Sequence, residues 1–344
     1  MTQPGDHVTR RELLRRSGRL GVAALAAGPV ASFLAACDAA RASVPKSAPT
    51  ATVTPNPTAT PDTRPVTIAI TGDVMLGRSV NQRILKTSDR FPFNDVADAL
   101  NGFDLTVGNL ECVVSRLGSP QPKQYTFEAD PLGFSRLTSA GYSIMSLANN
   151  HSGDYGKSAF MDMLDHLPQH GITPLGGGAN LAAAHQPVIR TIRSTTIGFL
   201  AYCEIEPFSF AATNSTPGHA WLDPARMTAD IHALRPKVDF LIVFTHWGIE
   251  YHPLESAEQE AMARVAIDAG ADFVVGAHPH IIQPSTTYKG KPIVYSLGNF
   301  VFDEMYGVEA RGNVLSLKVQ GSKLLDWSLR TAVIGSYGAP AWES

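Results

Sequence analysis

A chain of 344 residues with 44% hydrophobic and 17% charged residues has ordinary globular composition, enough for one large domain or two small ones. It carries 28 basic and 31 acidic side chains, and five of the basic groups but only two of the acidic ones precede Cys37, leaving 23 against 29 beyond it. Such an acidic balance excludes non-specific nucleic-acid binding, which needs a basic field, and requires any polyanion to be gripped locally by metal or a few arginines.

Residues 1–37 read as an export signal. Arg10-Arg11, Arg15 and Arg16 precede an apolar stretch from Leu20 to Ala36, ending in Leu34-Ala35-Ala36-Cys37. The arginine pair resembles a twin-arginine signal and the Leu-Ala-Ala-Cys run a bacterial lipobox. The resemblance implies that Cys37 becomes a lipid anchor and that the protein is exported to the outer face of the cell membrane. An uncut anchor is the alternative, but alanine, glycine and a proline make a marginal spanning helix. Residues 38–65, rich in proline and threonine, read as a disordered tether with too little apolar surface to offset ordering. Cys112 and Cys203 read as small core residues.

The globular part is expected over 66–344. Val66-Thr67-Ile68-Ala69-Ile70 alternates as a strand and runs into Thr71-Gly72-Asp73. The pattern repeats: Leu105-Thr106-Val107 leads to Gly108-Asn109-Leu110-Glu111, and Ile144 to Leu147 leads to Asn149-Asn150-His151. Phe240 to Phe244 leads to His246, Phe273-Val274-Val275 to His278 and His280, and Ile293 to Tyr295 to Asn299. Helical spacing occupies Gly156 to His170 and Glu255 to Ala269. Asn313 to Val319 and Trp327 to Ile334 read as a hairpin completing a second sheet. The expected fold is α/β: two packed mixed sheets flanked by helices, with ligand-type residues on one edge. His166, His170, His185, His219, His232 and His252 read as helix-face or loop residues.

Asp73, Glu111, Asn150, His246, His278 and His280 combine carboxylate, amide and imidazole ligands. The set suits two divalent ions such as Zn, Mn or Fe with one carboxylate bridging. Two ions about 3.5–4 Å apart acidify a shared water and clamp attacked and leaving oxygens. His151 stands at the rim as a proton donor to a leaving group. Each residue also has a structural reading: Asp73 shaping a turn, Asn149-Asn150 capping the Gly156 helix, Glu111 a solvated strand-end charge.

Gly72-Asp73-Val74-Met75-Leu76, Gly108-Asn109-Leu110-Glu111, Ala148-Asn149-Asn150-His151 with Asp154-Tyr155-Gly156, His246-Trp247-Gly248-Ile249-Glu250-Tyr251, Gly276-Ala277-His278-Pro279-His280 with Gln283, and Ser296-Leu297-Gly298-Asn299-Phe300 together resemble the CapA capsule-synthesis family. That family is associated with poly-gamma-glutamate capsule and is similar in turn to calcineurin-like metallophosphoesterases. The resemblance implies that Asp73 and His280 hold one ion, Glu111 bridges, and Asn150, His246 and His278 hold the other, with His151 as general acid. Phosphoesterases have Asp-x-His where this chain has Asp73-Val74-Met75, and a bridging Asp where it has Glu111, so the first ion has a weaker shell.

Arg78 and Arg311 are candidates for holding a carboxylate or phosphate, with a surface role as the alternative. Gly176-Gly177-Gly178 reads as a tight turn or an anion-facing loop. The expectation is an exported, membrane-anchored hydrolase-fold protein acting on an anionic surface polymer or its precursor, beside capsule synthesis subunits, at a phosphoester or an amide. The alternative is a non-catalytic polymer-binding or export subunit with a structural metal.

Overall fold

The computed structural model describes residues 62–343. The leader ending at Cys37 and most of the proline- and threonine-rich stretch lie outside the described residues. Residues 62–65, read from sequence as the end of the tether, already touch the domain: Arg193 donates to the Pro65 carbonyl at 2.8 Å.

Continuous apolar runs make strands buried on both faces. The strand Val66–Val74 lies centrally in an eight-stranded sheet, parallel to Leu105–Leu110 and antiparallel to Arg311–Gln320. Tyr142–Ser146 and Thr173–Leu175 extend the parallel side, and Lys323–Ile334 and Pro340–Trp342 the antiparallel one. In the six-stranded second sheet, Thr195–Cys203, Phe240–His246, Phe273–Ala277 and Lys291–Val294 run parallel, with antiparallel edges at Val188–Ile192 and Ser285–Tyr288. The C-terminal hairpin therefore pairs with the strand that carries Asp73. The second sheet expected from sequence is instead built by the 188–294 strands. Periodicity identifies a hairpin but not its long-range neighbour.

Alternate residues point in opposite directions, which sorts the core into three layers. Ile68, Ile70, Val107, Ile242, Phe244 and Val275 meet between the sheets. Ala69, Tyr142 and Met145 face outward beneath Phe134 of the helix Leu132–Ser139 and Phe160 of the helix Gly156–Gln169. Leu241, Val243 and Val274 face the helices Pro224–Leu234 and Ala257–Ala269. The second of these helices begins with a reciprocal cap between Ser256 and Gln259, two side chains satisfying otherwise free N–H groups. Parallel strands end on the same side, so the residues following them gather at one rim.

No helix among the described residues is long and apolar enough to cross a membrane. Cys112 and Cys203 are buried free thiols. His219 departs from its expected loop placement: it sits in the short strand Gly218–His219, fully buried. His185 is also buried, its ring bonded to Asp230 at 2.7 Å. His252 stays exposed, bonded to the Leu254 carbonyl.

Candidate metal centre

Five strand ends deliver the cluster, one of them supplying both His278 and His280. Asp73 is the penultimate residue of its strand and pairs in register with Asn109 and Asn299. His246 ends its strand opposite Cys203 and Ala277. The packing there demands glycine: a Cβ on Gly72 would lie 1.9 Å from the Gly298 carbonyl oxygen, and one on Gly276 2.1 Å from that of Tyr295. His278 and His280 adopt φ of 95° and 58°, a backbone region that side chains with a Cβ disfavour and that occurs at functional sites.

Asp73, Glu111, Asn150, His246, His278 and His280 all come together and are all buried. Asp73 Oδ2 lies 3.5 Å from His280 Nδ1, and Asp73 Oδ1 4.0 Å from His246 Nδ1. Glu111 Oε1 lies 3.7 Å from His246 Nε2 and 3.9 Å from His280 Nε2. Asn150 Oδ1 is 2.9 Å from His246 Nε2. Two ligand triads converge among the described residues, Glu111–His278–His280 and Asp73–Glu111–His246, and Glu111 belongs to both.

Both Glu111 carboxyl oxygens and His278 Nδ1 are buried without a hydrogen-bond partner. Leaving such groups unpaired costs about 1–3 kcal/mol each, more for charged groups, so their presence fits a cation between them. Burial, then the neighbouring Asp73 charge, pushes the Glu111 carboxyl well above its usual range. Burial, then the neighbouring histidines, pushes His246 well down, and burial with His280 pushes His278 to about 3. Burial opposes ionisation of Asp73 too, but His280 and Asn109 outweigh it and hold the carboxyl low. His280 is raised: burial acts against its charge, and Asp73 and Asn299 overcome it. Neutral imidazoles are the form that binds metal.

Amides orient the ligands. Asn109 Nδ2 donates to Asp73 Oδ1 at 2.8 Å, and Asn109 Oδ1 accepts from Asn149 at 2.9 Å. Asn149 Oδ1 accepts from the His151 N–H at 3.0 Å. Asn299 Oδ1 lies 2.9 Å from His280 Nδ1, fixing that ring so that Nε2 turns toward Glu111. These asparagines lie within the sequence motifs, yet pattern alone assigns them no role.

His151 stacks on Phe127 at 4.1 Å, and its Nδ1 lies 2.6 Å from Asp154 Oδ2. Lys123 Nζ reaches Asp154 Oδ1 at 2.8 Å and the Asn150 carbonyl at 2.8 Å. Lys123 was invisible in sequence, one polar residue in a Ser-, Pro- and Gln-rich loop. Burial lowers the His151 pKa against the pull of Asp154. Arg78 and Arg311 occupy different surroundings. Arg78 lines the cavity beside His151 and His280, its guanidinium held by Asp303 at 2.5 Å and Glu304 at 2.8 Å. Arg311 is absent from that lining and pairs with Glu343 at 2.5 Å. Gly177–Gly178 forms a short strand against Gly218–His219, so that stretch belongs to a backbone ladder.

Two face-to-face sheets between helical layers, with this rim of ligands, define a metallophosphoesterase-like fold. A crystal structure described as a candidate 5'-nucleotidase from Staphylococcus aureus, in complex with alpha-ketoglutarate, superposes with TM-score 0.50 at 14% identity, covering 81% of this chain and 55% of that one. Residues 67–304 match the family model described as bacterial capsule synthesis protein PGA_cap, and the chain belongs to that family. It is 31% identical over 247 residues to the capsule biosynthesis protein CapA of Bacillus anthracis, covering 70% of this chain and 60% of the relative. It is 31% identical over 236 residues to the PGA biosynthesis protein CapA of Bacillus subtilis, covering 68% and 62%. The chain thus spans about three fifths of the length of these relatives.

Proposed function

We propose that this protein is an exported, membrane-anchored, metal-dependent hydrolase that processes a poly-gamma-glutamate-type surface polymer or its precursor. The observation that carries the reading is Glu111: fully buried, unpartnered, and common to both ligand triads. Asp73 and His280 would hold one divalent ion and Asn150, His246 and His278 a second, with Glu111 between them. Ions bound there acidify a water and polarise a phosphoryl or carbonyl oxygen.

The chain's own groups supply the rest. Asp154 occupies Nδ1 of His151, which leaves Nε2 as the atom that exchanges a proton with the leaving group. Lys123 takes the other Asp154 oxygen and so fixes that carboxylate's orientation. Phe127 covers one face of the imidazole and keeps water from it. The lipobox-like run ending at Cys37 supports anchoring, and a Cys37→Ser variant released from membranes after lysis would bear this out.

The test is elemental analysis of the purified full chain beside His278→Ala, with phosphodiester and γ-linked glutamate substrates assayed in parallel. About two ions per chain, lost in the variant together with turnover, support the hydrolase. Metal retained without turnover of either substrate class points to the polymer-binding subunit.

A further inference from the structure

The opening above the ligand cluster has an unexpected charge for a protein of a polyanion pathway. His151 and His280 form the floor of a cavity of about 210 Å³ whose walls include Glu250, Glu304 and Glu309. Its one guanidinium, Arg78, is already occupied by Asp303 and Glu304. Glu250 and Glu309 have no ion pair among the described residues. They do not converge on a metal either: the triads that do are those of the buried cluster.

Two tyrosines complete the wall. Tyr125 is 55% exposed and Tyr251 49% exposed, and both line the cavity, the Tyr251 ring 5.9 Å from that of His280. Tyr251 is held at φ 61°, its N–H bonded to the Pro279 carbonyl at 2.8 Å between the two metal-site histidines. Burial, then the charges of Glu250 and Glu309, pushes its hydroxyl pKa up, as expected where those carboxylates face it. On the floor, the His151 side chain is 7% exposed, with Nδ1 taken by Asp154 and Nε2 free of any hydrogen bond among the described residues. His151 is itself part of the cavity lining, so that nitrogen is open to a ligand there.

Carboxylates without counter-ions beside exposed aromatic faces are the environment that binds an ammonium group. The same carboxylates repel the side chains of an acidic polymer. A polyglutamate chain has one cationic group, its free amino end, because every other backbone nitrogen is an amide. We propose that this cavity is a recognition site for a primary ammonium, which seats the amino-terminal end of an acidic chain over the metal centre. The proposal rests on the polymer-processing reading above and narrows it to an end-directed mode of binding. A separate, larger cavity of about 740 Å³ has Asn150, Lys123 and Lys157 on its walls.

The test uses the full-length, metal-loaded protein and two probes: a γ-linked glutamate trimer with a free amino end, and the same trimer N-acetylated. Binding is measured calorimetrically while released glutamate is followed in the same samples. The free-amine trimer is expected to bind about tenfold or more tightly than the acetylated one, a margin that Glu250→Gln with Glu309→Gln removes while metal content stays at the wild-type level. Equal binding of the two trimers by the wild type, binding of neither, or a preference that survives in the double variant overturns the proposal. Preferential binding without glutamate release sinks the hydrolase reading and leaves the recognition site standing. Release from both trimers at equal rate does the reverse.

Discussion

The two halves of the ligand cluster are built differently. Asp73 and His280 are each held by an asparagine amide, Asn109 and Asn299, at 2.8 and 2.9 Å. Glu111 and His278 are as deeply buried but have carboxyl oxygens and a ring nitrogen with no partner. One half is pre-oriented by the protein; the other is completed only by a ligand. The contrast assigns the pre-oriented half to geometry and the open half to affinity, since groups that gain their first partner on binding gain most from it.

Removing the shared member of the open half should have the largest effect. Glu111→Ala is expected to lose most bound metal and all detectable turnover, read by elemental analysis beside the assay; wild-type metal content in that variant would erase the distinction between the halves. His151→Asn lies outside both halves and should cost about 10²–10⁴-fold in turnover with metal content unchanged. Loosening the pre-oriented half is a smaller change. Asn299→Ala should weaken metal affinity or activity about 10–100-fold, and restoration by Asn299→Asp but not by Asn299→Leu would tie the effect to His280 orientation.

Acidity acts in opposite directions on the two members of the open half in the metal-free protein. His278 is held near 3 when folded and returns to about 6.5 when unfolded, so below 6.5 the unfolded chain binds the extra proton and stability falls with pH. The loss is about 1.4 kcal/mol per pH unit for this one group until the folded value is reached. Glu111 acts oppositely: its folded pKa is raised, so its contribution is complete below the ordinary carboxyl value and is lost as pH rises toward the raised one. Metal-free protein should therefore have a narrower pH range of stability than metal-loaded protein. Thermal melts from pH 4 to 8 read this, and His278→Leu should flatten the acid limb. Smallest of all, Arg311→Ala removes an exposed ion pair with Glu343 and should change stability by less than about 1 kcal/mol with unaltered kinetics.

The ligands were legible in the sequence because each follows a short apolar run, and runs that end in Gly-Asp, Asn-His or His-x-His are rare within a core. The sheet edge followed from the same alternation. What stayed hidden depends on long-range partners. Arg78 read as a free anion-binding fork, but Asp303 and Glu304, more than two hundred residues away, take up its guanidinium. Lys123 acquires meaning only when Asp154 and Asn150 arrive beside it. The hairpin over residues 311–334 was visible as a hairpin, but its place beside Val66–Val74 was set by pairing across the whole chain.

The left-handed backbone at His278 and His280 also offers a way of reading descendants of this domain. Each bulky residue there costs about 1–2 kcal/mol that glycine would not, and asparagine would bear less of it. A lineage released from metal binding gains stability by letting either histidine drift to glycine or asparagine, so relatives that have done so should be searched for first among those that have abandoned the chemistry. Two imidazoles held where the backbone favours glycine are the strained part of this centre.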